Sequence, residues 1–154
     1  MRKSGAMFAC LAMLAFPSVE GAYANGEDNR AALQEVTSEL QVCSAYYAVE
    51  AQCFNQQEPR LSDRYAKSSR RLESVARKGK LLLGVSGSAF TTQSLILFSV
   101  LVSATHDTCT NLQVLLVHYA TFCQRLERSV DARLKEWVRC ARNGQTDCGE
   151  PELP

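Results

Sequence analysis

The stretch 31-AALQEVTSELQVCSAYYAVEAQCFNQQ-57 decides the fold. Leu33, Val36, Leu40, Cys43, Tyr47 and Phe54 recur at the three-and-four spacing of one face of an α-helix. Cys43 and Cys53 both lie on that helix, about 15 Å apart along its axis at 1.5 Å per residue, whereas bonded cysteines hold their Cα atoms within about 7 Å. They cannot bond each other while the segment stays helical, so each needs a partner on a different element.

Partners are available downstream. Cys109 and Cys123 fall on a later helical element whose apolar face is Leu112, Leu115 or Leu116, Tyr119, Cys123 and Leu126, with Asp107 or Thr108 as its cap. Antiparallel packing of the two elements would set Cys43 against Cys123 and Cys53 against Cys109. The two spacings differ by about one helical turn, which a bend near Cys109 would have to absorb. Cys140 and Cys148 would then close a local loop around Asn143-Gly144. No Cys-x-x-Cys occurs among these six, so neither the thioredoxin-like redox motif nor a Cys-x2-Cys zinc spacing is present.

Between these elements the chain also reads as helix. Pro59 ends the first element. Leu61, Tyr65, Ser68, Leu72, Val75 and Gly79 form one stripe of the next, opened by Ser62 or Asp63 and closed near Gly79 or Gly84. Its second stripe is Arg60, Arg64, Lys67, Arg71 and Lys78, and residues 60–80 carry eight basic side chains against Asp63 and Glu73. That stripe is either a solvated face or a patch for an anionic partner, such as an acidic protein or the anionic surface of a membrane. Residues 81–105 contain no charge. After the Ser86-Gly87-Ser88 loop, the run from about Ala89 to Thr105 reads as a buried central helix rather than a membrane span, because polar and glycine residues crowd its first half. Asp131 restarts a last short helix with Leu134, Trp137 and Val138. No stretch shows the alternation of a half-buried strand. The expected fold is therefore all-α, a small disulfide-stapled bundle of four to five helices. Its expected core is Leu33, Val36, Leu40, Tyr47, Leu72, Leu95, Phe98, Leu101, Leu112, Leu115, Tyr119 and Leu134.

The N-terminus reads as an address. Arg2 and Lys3 precede the apolar run Ala6–Phe16, Pro17 follows, and Ala22-Tyr23-Ala24 forms an A-x-A cleavage site. The organisation expected is a signal peptide over 1–24, a polar lead-in over 25–30, a helical domain over 31–142 and a C-terminal tail over 143–154. Cleavage near Ala24 leaves six of the seven cysteines, an even number suited to disulfides in an oxidising periplasm or outside the cell. The whole chain has 154 residues, is 46% hydrophobic and carries a formal net charge of +1, which fits one globular domain and argues against a nucleic-acid binder.

No catalytic constellation emerges. His106 and His118 are the two imidazoles, and no nucleophile elbow accompanies them. Glu35 and Glu39 share a helix face and read as solvated surface. Neither a catalytic residue nor a metal or cofactor ligand is expected. The functional expectation is an exported, non-catalytic helical protein that binds an unidentified partner protein as an inhibitor, immunity factor, chaperone or accessory subunit would. The alternatives are a peripheral or single-span envelope membrane protein using 60–80 and 81–105, and a hydrolase whose site is assembled by the fold.

Overall fold

The computed structural model describes residues 20–106 and 108–143. Most of the proposed leader, Cys10, Asp107 and the Cys148 loop lie outside them. Five α-helices follow one another: α1 (Glu20–Phe54), α2 (Pro59–Leu82), α3 (Gly87–Ala104), α4 (Gln113–Arg128) and α5 (Val130–Arg142), with a 3-10 turn at Cys109–Asn111 ahead of α4. Among the described residues there is no strand, and the protein is an all-α bundle.

α1 is the axis of the bundle. Its 35 residues span about 52 Å, and it starts at Glu20, so the polar stretch 25–30 is helical rather than an irregular lead-in. α2 runs antiparallel to it. Ser62 Oγ donates to the Ala51 carbonyl (2.7 Å), Ser44 Oγ to the Ser69 carbonyl (3.0 Å) and Lys80 Nζ to Ser38 Oγ (3.0 Å). α3 returns parallel to α1: Arg30 donates to the Leu83 carbonyl (3.1 Å) and Gln41 to Ser94 Oγ (3.3 Å). α4 is antiparallel again, with Cys43 bonded to Cys123, Cys53 to Cys109, and the Tyr46 and Tyr119 rings 5.9 Å apart. The 3-10 turn at Cys109 takes up the extra helical turn between the two cysteine spacings, since it lets the chain turn before α4 begins.

Several boundaries differ from the sequence reading for local reasons. Pro59 occupies the first turn of α2, where its missing N–H has no intrahelical partner to lose, so it opens α2. Neither Ser62 nor Asp63 is the cap. α2 continues past Gly79 to Leu82, and Gly84 at φ 85° turns the chain after it, in the left-handed region glycine accepts. Gly79 serves a different purpose, because a Cβ there would lie 2.1 Å from Thr37 Cγ2 on α1. The chains cross closely at that point. Gly79→Ala is therefore expected to destabilise by about 1–2 kcal/mol, the overpacking penalty outweighing the roughly 1 kcal/mol helix-propensity gain. Adding Thr37→Ser, which removes the obstructing methyl, should restore most of the loss in a urea titration.

The core gathers around α1. Val36, Leu40, Tyr47, Leu72, Leu101, Leu112, Leu115 and Tyr119 are buried as expected, and Phe98 and Leu134 are partly buried against them. Leu33 is only half-buried and Leu95 is 64% exposed. The buried central helix is thus α1 and not α3. α1 buries Thr37, Glu39, Gln41, Ser44 and Glu50 as well as its apolar stripe. α3 buries fully only Phe90 and Leu101. An all-apolar helix carries no polar side to mark which face turns outward, so its composition reads the same buried or exposed.

Candidate functional site

Two outward surfaces and two buried carboxyls account for the polar and apolar groups that folding leaves over. On α3, Ser86 accepts from the Ala89 backbone N–H (3.2 Å) and caps the helix, as the sequence implied. From that start the 3.6-residue period turns Phe90, Leu97, Phe98 and Leu101 toward the bundle. It turns Thr92, Leu95, Ile96, Ser99 and Val100 outward, where they line a shallow hollow of about 310 Å³. Leu95 is 64%, Ile96 57% and Val100 44% exposed. Exposed Leu81 and Leu82 at the end of α2 are further large apolar groups turned to solvent.

α3 is long and apolar enough to cross a membrane by length and composition. The bridges bear on that reading. Cys53 precedes α3 in the chain and Cys109 follows it, yet their Cα atoms are 5.3 Å apart. A helix of 18 residues spanning about 27 Å of hydrocarbon would set those cysteines on opposite sides of the bilayer. With the bridge closed, α3 lies on one side.

The second surface is the outward face of α2. Arg60, Arg64, Lys67, Arg71 and Lys78 are all exposed there. The i,i+4 pair Lys67–Asp63 (2.6 Å) and the pair Arg77–Glu73 (2.9 Å) neutralise part of the charge. Among the described residues Arg60, Arg64, Arg71 and Lys78 have no ion-pair partner, so the face stays strongly positive.

Inside the bundle, Glu39 is not the solvated residue its helix spacing suggested. It is buried, and Arg133 on α5 grips it: Nε lies 3.0 and 2.9 Å from the two carboxylate oxygens, and Nη2 also donates to Oε1. Trp137 Nε1 donates to the same oxygen (3.0 Å), and Arg133 Nη1 reaches Glu136 (2.8 Å). Burial alone would lower the guanidinium's proton affinity, but its bonds to Glu39 and Glu136 raise it above the ordinary arginine value. The arrangement ties α5 to α1 and saturates the carboxylate, which leaves no lone pair for chemistry. Only Arg133's identity as its partner, 94 residues away, explains the burial.

Glu50 is the opposite case. It is fully buried and neither carboxyl oxygen has a hydrogen-bond partner. Desolvation pushes its pKa above the ordinary glutamate value, a rise only partly offset by the nearby Tyr46 and Tyr65 hydroxyls. The folded state therefore holds Glu50 protonated more readily than the unfolded chain does. Its stabilising contribution is full below the ordinary value of 4.5 and is lost as pH climbs through the raised folded value. Glu50→Gln should flatten the fall in unfolding free energy between mildly acidic and mildly alkaline pH, as measured by denaturant titration at several pH values. An unchanged slope would place the linkage elsewhere.

The imidazoles are not brought together. His106 is exposed in the turn after α3 at φ 54°, and His118 is exposed on α4 beside Tyr119, so they sit on different elements. Among the described residues no group of three or more His, Cys, Asp or Glu side chains could hold a metal ion. Cys140 is disulfide-bonded, and the expected Cys148 loop lies outside the described residues. No protein-family model matches the chain, and no curated protein or solved structure matches it either.

Proposed function

We propose that the chain is exported, loses residues 1–24 near Ala24, and acts in a bacterial periplasm or outside the cell as a non-catalytic module that binds a partner protein. The observation that carries this reading is the uncovered apolar face of α3, centred on Leu95, Ile96 and Val100. A soluble domain rarely leaves contiguous apolar side chains in water without a use for them. A helix face held on a cross-linked scaffold presents them with little ordering entropy left to lose on binding. The disulfides support an oxidising compartment. An inhibitor, immunity, chaperone or accessory role is equally served by such a face.

A photo-crosslinking residue placed at Ile96 in the intact envelope tests this reading. A discrete protein adduct is expected. Leu95→Glu with Val100→Glu should abolish it while changing stability by no more than about 0.5 kcal/mol, since both side chains already face solvent. Crosslinks to lipid alone, with the protein released only by detergent and not by salt or carbonate, would overturn the reading in favour of a membrane-inserted one.

A further inference from the structure

A groove of about 440 Å³ opens between α2 and α4, on a different surface from the α3 face, lined by Tyr47, Arg64, Tyr65, Ser68, Gln124, Glu127 and Arg128. Its floor is apolar and aromatic: Tyr47 is buried and its ring stacks against that of Tyr65, 5.8 Å away. Two guanidinium groups stand at its rim. Arg64 lies 5.5 Å from the centre of the Tyr65 ring, a cation–π contact that restricts where it can point. Neither Arg64 nor Arg128 has an ion-pair partner among the described residues. The groove's own carboxylate, Glu127, is held by the Ser68 hydroxyl at 2.7 Å, and two arginines against one glutamate leave the groove positive.

We propose that this groove receives a carboxylate side chain from an acidic segment of a partner protein. Arg64 and Arg128 grip it, and Arg60, Lys67 and Arg71 along α2 attract the flanking acidic residues. Two planar guanidinium forks converging on one groove match a carboxylate's paired oxygens, and partial removal from water strengthens such bonds. The uncompensated face of α2 extends from the groove along the helix and would speed encounter with an acidic chain. An acidic peptide fits better than a lipid surface, because no large apolar side chain is exposed between Arg60 and Arg71 to insert among acyl chains. The inference rests on the protein-binding reading for the nature of its ligand, but it uses none of α3.

Fluorescence anisotropy of a labelled, glutamate-rich peptide against the mature protein tests it. Binding is expected to weaken steadily with added salt. It should fall about tenfold in Arg64→Gln with Arg128→Gln, and by less than about twofold in Lys78→Gln, which alters the same helix beyond the groove. Both arginines are exposed, so the double variant should keep its melting temperature. Arg64→Lys with Arg128→Lys should bind weakly despite unchanged charge, since a point charge cannot replace the fork. Equal binding by the glutamine variant, no peptide binding at all, competition by inorganic phosphate at comparable concentration, or binding only to phosphatidylglycerol vesicles would each overturn the proposal. Peptide binding that survives Leu95→Glu with Val100→Glu would show that this site stands even if the α3 reading fails.

Discussion

Replacing Cys43 and Cys123 together by alanine is expected to lower the unfolding free energy by about 4 kcal/mol. The bridge closes a loop between residues 80 apart, and restricting so long a loop removes much of the unfolded chain's freedom. Both cysteines are also completely buried, so each alanine leaves a gap beside Tyr46 and Tyr119 that adds to the loss. The Cys53–Cys109 bridge, with a separation of 56, is nested inside the first, so the effects of removing the two add to less than their sum. Losing both should still consume most of the roughly 5–15 kcal/mol available to a domain of this size. The four-alanine variant is expected to show no cooperative thermal transition at physiological temperature, read by circular dichroism under non-reducing conditions.

Arg133→Met is the second large effect, with an expected loss of about 3–5 kcal/mol. Methionine fills the space between the Phe122 and Trp137 rings, which now lie 5.6 and 5.4 Å from the guanidinium carbon. It leaves Glu39 buried with Trp137 Nε1 as its remaining donor. An uncompensated buried carboxylate is the source of the penalty, rather than the lost attraction itself. Glu39→Leu in the same chain should therefore recover much of the stability, and a double-mutant cycle in guanidinium chloride measures the coupling directly. Additive single and double effects would mean that the pair does not hold α5 to α1.

The helical character, the caps at Ser86 and the pairing of Cys43 with Cys123 were legible because each depends on spacing within one or two elements. The fit of Cys53 to Cys109 was legible down to the bend it required. What sequence could not rank was which helix lies at the centre. Leu95 and Leu101 differ by six positions on the same apolar helix, yet one faces water and the other is buried, because only the packing partner distinguishes them. Glu39 and Glu50 likewise read as ordinary helix-surface glutamates. Their burial depends on Arg133 and on the tyrosine cluster around Tyr46, residues brought near by the fold and not by local pattern. The groove between α2 and α4 has the same origin: Arg64 and Arg128 are 64 positions apart and meet only when both helices pack on α1.

The account depends above all on a bundle cross-linked around α1 in an oxidising compartment. A non-reducing peptide map of the protein purified from its native envelope examines that claim most directly. Peptides joining Cys43 to Cys123 and Cys53 to Cys109, in a chain beginning at Asn25, are the expected result. A Cys43–Cys53 peptide would mean that α1 is broken between them, and free thiols at all four positions would mean that the bundle is not cross-linked where it works.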